Sequence, residues 1–181
     1  MQRRDVWHWL GLAVLLCACH SPGRYGHSAR YAPLGDETDA ARGAQSYDAL
    51  ALKGSPEGIQ GKRISAFGVV RARRAGRGGA SYVTLSVRRL EPRNLCETAD
   101  EDSCRVTVGE REHSVVHAHV RLESEDDIGK KSVAAGSLLR IVGVGADEVD
   151  ADDGSPVIRA TYYRHWPRDY YATSPAGPAA P

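Results

Sequence analysis

Lys62-Arg63-Ile64-Ser65-Ala66-Phe67-Gly68-Val69-Val70-Arg71-Ala72-Arg73-Arg74 is the stretch that decides the fold. Ile64, Ala66, Val70 and Ala72 alternate with polar or mixed neighbours, which is the period of a half-buried strand. Gly68 stands in its middle, and a glycine inside so long a strand marks a bend or a close backbone approach. The Gly-rich turn Ala75–Ala80 then leads into Tyr82–Arg88, where Val83, Leu85 and Val87 point one way and Tyr82, Thr84, Ser86 and Arg88 the other. Together the two stretches read as a hairpin.

Three more strands follow. One is expected over 113–122, with Val116, Ala118, Val120 and Leu122 on one face and His117, His119 and Arg121 on the other. Leu138–Val144 is apolar except for Arg140 and Gly143, the mark of a strand buried on both faces for much of its length. The acidic run 145–155 closes a hairpin into Pro156–Trp166, which ends before Pro167. Residues 123–136 connect the third strand to the fourth and have room for a short helix. Five strands with these connections predict a mainly β chain folded as a small OB-like barrel. A small sandwich and an open five-stranded sheet are the alternatives.

Outward from that core, residues 1–18 form a segment of a different kind. Arg3 and Arg4 precede the apolar run Val6–Leu16, and Leu16-Cys17-Ala18-Cys19 follows. The run is about half the ~20 apolar residues that a membrane-crossing helix needs. A charged start, a short apolar segment and a small residue before the cut are the parts of an export signal. The tetrapeptide resembles the lipobox of bacterial lipoproteins, with the small Cys17 where alanine, serine, threonine or valine is usual. That resemblance implies cleavage after Ala18, a lipid on Cys19 and attachment to the cell-envelope membrane. His20, rather than aspartate, follows the cysteine, so the outer membrane is expected over the inner one.

Residues 19–57 are expected to be a tether, with a short helix between Thr38 and Lys53. As a flexible coil of about forty residues it would have a root-mean-square reach of roughly 35 Å. The β domain is expected over 58–167, and residues 168–181, rich in Pro, Ala and Gly toward the end, as a disordered tail. In its order of elements the chain resembles OB-like bacterial envelope lipoproteins, including the starvation-inducible outer-membrane group. The features that carry this are Cys19, the strand bent at Gly68, the strand Leu138–Gly145, and the strand that opens Pro156-Val157-Ile158 and closes on Trp166. The resemblance implies location and fold and brings no activity with it.

Charge narrows the partners. Loss of Arg3, Arg4 and Asp5 with the signal, from totals of 24 basic and 23 acidic residues, leaves a formally neutral chain. A dedicated nucleic-acid binder needs a clustered positive excess, so none is expected. Of four cysteines, Cys17 leaves with the signal and Cys19 takes lipid. Cys96 and Cys104 are expected to pair as a disulfide in an oxidising compartment, stabilising by about 2.5 kcal/mol in the chain-entropy model. Their spacing fits no zinc pattern.

Candidate chemistry is sparse. No Gly-x-Ser-x-Gly elbow occurs, so no catalytic residue and no cofactor is assigned. Tyr82, Arg88, His117, His119 and Arg121 form a candidate ligand face on the second and third strands, the surface on which OB folds bind oligonucleotides or sugars. The leading expectation is a non-catalytic module that contacts an envelope protein or glycan, and the alternative is a binder of an anionic glycan or nucleotide on that face. His117 and His119, about 7 Å apart on one strand face, can chelate a metal only with a third ligand. A metal-dependent enzyme built on them is the least favoured reading, and a plain solvent-facing surface is preferred. The run Asp147–Gly154 departs from the calcium-loop pattern and is read as a charged turn. Tyr162, Tyr163, Trp166, Tyr170 and Tyr171 are read as packing, with a patch for a partner as the alternative.

Overall fold

A computed structural model describes residues 30–48, 56–95 and 106–175. Its strands are β1 (Gln45–Ser46), β2 (Arg63–Ala75), β3 (Ser81–Arg88), β4 (Thr107–Gly109), β5 (Ser114–Val120), β6 (Leu138–Val149), β7 (Pro156–Trp166) and β8 (Ala172–Ser174). Two short helices, α1 (Gly35–Ala40) and α2 (Ser124–Asp127), complete the set, with one-turn 3-10 helices at Pro56–Ile59 and Arg77–Gly79.

β2 organises the barrel. Its first part, Arg63–Val69, pairs antiparallel with β6, and its second part, from Phe67 to Ala75, pairs antiparallel with β3. Phe67, Gly68 and Val69 are therefore paired on both sides, where the strand passes from one neighbour to the other. A Cβ on Gly68 would lie 2.8 Å from Leu85 Cβ, so the bend needs a residue without a side chain. A bulge between Val70 and Ala72 adds to the curl. The order β2-β3-β5-β7-β6 closes through the β2–β6 pairing, with β5 and β7 parallel over His117–His119 and Val157–Arg159. This closure makes the molecule a five-stranded OB-like barrel and excludes the sandwich and the open sheet.

Inward alternation fills the interior as the sequence predicts. Val83, Leu85, Val116, Ala118, Ile141 and Ile158 are fully buried in one cluster. A second cluster forms outside the barrel, from Val106, Val108, Leu138 and Trp166, with Tyr31, Phe67, Tyr170 and Tyr171 packed against it. Packing is thus the observed role of Trp166, Tyr170 and Tyr171.

Two expectations fail at the ends. The disordered tail does not begin at residue 168: β8 pairs parallel with β4, and Tyr171 donates a hydrogen bond to the Gly136 carbonyl at 2.9 Å. Two tyrosines with an apolar cluster to cover outweigh the loop-like composition around them. The supposed tether is also partly barrel. The helix lies at Gly35–Ala40, overlapping only the first three residues of the expected span, and β1 pairs parallel with β2.

What docks that segment is a buried charge cluster. The Glu37 carboxylate, fully buried, accepts hydrogen bonds from Arg140 Nη1 at 2.5 Å, Arg164 Nη1 at 2.9 Å, the Leu34 N–H at 2.9 Å and the Tyr31 hydroxyl. The two guanidiniums also lie against aromatic faces, Arg140 5.3 Å from the Phe67 ring and Arg164 4.6 Å from Trp166. Residues 1–29, 49–55, 96–105 and 176–181 lie outside the described residues, and with them Cys17, Cys19, Cys96 and Cys104.

Candidate binding face

The outer face of β3 and β5 follows from strand register. Tyr82 stands opposite His119 and Thr84 opposite His117, so all four side chains leave the barrel on the same side. The β6–β7 turn then folds over them. Asp150, the first turn residue, accepts the Tyr82 hydroxyl at 2.7 Å and faces Arg74 Nη2 at 3.3 Å, both through Oδ2. The Tyr82 ring stacks on His117 at 5.3 Å, meets His119 edge-on at 4.8 Å, and carries the Arg74 guanidinium 4.5 Å above it.

His117 sits between two carboxylates. Its Nδ1 lies 3.2 Å from Thr84 Oγ1 and 3.7 Å from Asp150 Oδ2, while Nε2 lies 3.1 Å from Asp153 Oδ2. His119 Nε2 is 3.5 Å from Glu148. Tyr82 is only 8% exposed and His117 only 5%, so the solvent-facing surface expected of this strand pair is covered. The alternation places these side chains on the outer face, but it carries no information about a turn thirty residues on that folds back over them.

The electrostatics follow from this packing. The Tyr82 hydroxyl, chiefly, holds the Asp150 carboxyl below its ordinary value, helped by the Asp152 N–H and opposed by burial. At Asp153 burial pushes the other way, but the Ser155 N–H and His117 outweigh it and the net shift is again downward. Burial and the Asp150 carboxylate push the Tyr82 phenol well above its usual range. The turn is therefore a stable pair of anions held against a phenol and an imidazole.

The five candidate face residues do not form one surface. Tyr82, His117 and His119 come together, but Arg88 lies at the far end of β3, about 20 Å along the strand from Tyr82. Arg121 follows the end of β5 and lines a separate cleft of about 780 Å³ with Asp36, Glu123 and Tyr162. Three arginines at the β2–β3 end are also engaged with acids. Arg71 pairs with Glu112, Arg73 with Asp127, and Arg74 with Asp150. A smaller cleft of about 390 Å³ runs between Arg77, Tyr82, His119, Glu148 and Asp150, mixing both signs of charge. The acidic run 147–154 is the charged hairpin turn that its sequence predicts.

One further constellation escapes sequence reasoning. His165 Nδ1 lies 2.8 Å from Asp126 Oδ1, and Nε2 lies 3.1 Å from Ser137 Oγ. This is the order of a Ser-His-Asp relay. All three residues are almost fully buried, and the N–H groups of Gly136 and Ser137 already donate to Val70 and Ala134 carbonyls. A nucleophile needs access and free donors for the developing oxyanion, and this arrangement offers neither. Its work is to fasten the connector between β5 and β6 to β7, which the Tyr163 hydroxyl reinforces by donating to Asp126 Oδ2 at 2.8 Å. No protein-family model matches this chain, and no curated protein matches it.

Proposed function

We propose that this protein is a lipid-anchored, non-catalytic component of a bacterial cell envelope, in which an OB-like barrel serves as an interaction module. The observation that carries the reading is Leu16-Cys17-Ala18-Cys19 placed directly behind Arg3, Arg4 and the apolar run Val6–Leu16. A lipid-bearing amino end and a compact barrel together suit a protein that presents a surface to a neighbouring envelope protein or glycan. On this reading Cys96 and Cys104 form a disulfide in the oxidising periplasm. An anionic ligand on the β3–β5 face is less favoured, because Glu148, Asp150 and Asp153 stand against it and Arg74 is already engaged there. Like charge at that spot would cost binding rather than supply it.

Metabolic labelling with palmitate, followed by membrane fractionation, tests the anchor. Wild-type protein should carry label and sediment with the outer membrane, and Cys19→Ala should lose the label. Equal labelling of both would refute the assignment.

A further inference from the structure

We propose that His117, Asp150 and Asp153 form a binding site for a zinc-class divalent cation, which fastens the β6–β7 turn to the outer face of the barrel. One donor atom from each residue lies within 4.8 Å of the other two. The set is not an exposed acidic patch: the imidazole comes from the middle of a barrel strand, and both His117 and Asp150 are about 5% exposed.

Donor chemistry selects the ion. One imidazole nitrogen and two carboxylate oxygens suit zinc and its first-row neighbours, whereas calcium and magnesium favour all-oxygen shells. Around a tetrahedral zinc, donors 2.0–2.2 Å from the metal stand about 3.4 Å apart. Asp153, with its side chain 42% exposed, has the freedom to close the remaining gap by rotation.

Supporting contacts are already in place. Thr84 Oγ1 sits on His117 Nδ1 and fixes the ring, leaving Nε2 toward Asp153. The Asp152 N–H holds Asp150 Oδ1 at 3.0 Å, the Tyr82 hydroxyl holds Oδ2, and the Ser155 N–H holds Asp153 Oδ1 at 2.8 Å. Such outer contacts orient metal ligands and raise affinity. Arg74, 3.3 Å from Asp150 and largely exposed, swings to solvent when the cation takes its place. Three protein ligands leave one position for water or for an anionic donor from a bound molecule.

Zinc chloride titrated calorimetrically into the full chain, stripped of metal with EDTA and dialysed free of the chelator, tests this site. The background replaces all four cysteines, Cys17, Cys19, Cys96 and Cys104, by serine, so that no thiol contributes. The expected result is one zinc per chain, with affinity falling by about 10-fold or more in Asp153→Asn and in His117→Gln. Asp153 is half-exposed, so its variant decides the outcome even where His117→Gln fails to fold. Absence of binding, binding unchanged in Asp153→Asn, or calcium chloride binding in preference to zinc would each overturn the proposal.

Discussion

Glu37 shows what one residue can decide. Its carboxylate bridges Arg140 and Arg164, and it is completely shielded from water. Burial alone would raise its pKa, but donation from Tyr31, Arg140 and the Leu34 N–H lowers it below the ordinary 4.5. Glu37→Gln leaves two arginines facing a neutral amide, and removal of one partner from a buried pair costs about 3–5 kcal/mol. Urea denaturation at pH 7 should show that loss. Because the folded value is depressed, the contribution of Glu37 is complete above pH 4.5 and is lost as the pH falls through the folded value. The gap in stability between wild type and Glu37→Gln should therefore narrow toward pH 3. The sequence carried half of this cluster. Arg140, alone in an apolar strand, signals an internal counter-ion, but Gly35–Ala40 has no apolar period that would mark Glu37 as its partner.

Three barrel strands, β2, β3 and β5, were legible because alternation over seven or more residues is hard to imitate, and β6 because its apolar run stands out from polar flanks. Pro156–Trp166 is observed with the expected bounds, and the long first strand is shifted by one residue at each end. β1, β4 and β8 were not legible, since two or three residues carry no period and their pairing depends on chain that is distant in sequence. The glycines of β6 give the element its shape. A Cβ on Gly143 would lie 2.2 Å from the Arg159 carbonyl oxygen, and one on Gly145 would lie 2.0 Å from that of Ile59. Backbone cannot yield as a side-chain tip can, so Gly143→Ala and Gly145→Ala should each destabilise by about 1–3 kcal/mol or more. Gly35, with nothing within 4 Å of an added Cβ and a place at the start of α1, is the contrast. Gly35→Ala should be neutral or stabilising by up to ~1 kcal/mol, as read from the shift in urea midpoint.

At the scale of the molecule, the barrel and residues 30–48 form one folding unit. Tyr31 packs edge-on against Phe67 at 5.4 Å, Arg63 Nη2 donates to the Ala40 carbonyl at 2.6 Å, and the Tyr47 N–H donates to Ser65. A chain beginning at residue 49 would keep every barrel strand yet strand Arg140 and Arg164 without their carboxylate. It should melt well below a chain beginning at residue 30, as circular dichroism would record. A domain boundary placed at residue 58 therefore falls too late, because composition separates polar chain from apolar chain and says nothing about where a polar chain is fastened. The fastening also sets an altitude. If Cys19 carries lipid, the chain from there to Tyr31 is a leash of twelve residues, spanning at most about 40 Å when drawn straight. The barrel would then hover close above the bilayer, and anything it meets deeper in the periplasm must itself reach down to the membrane.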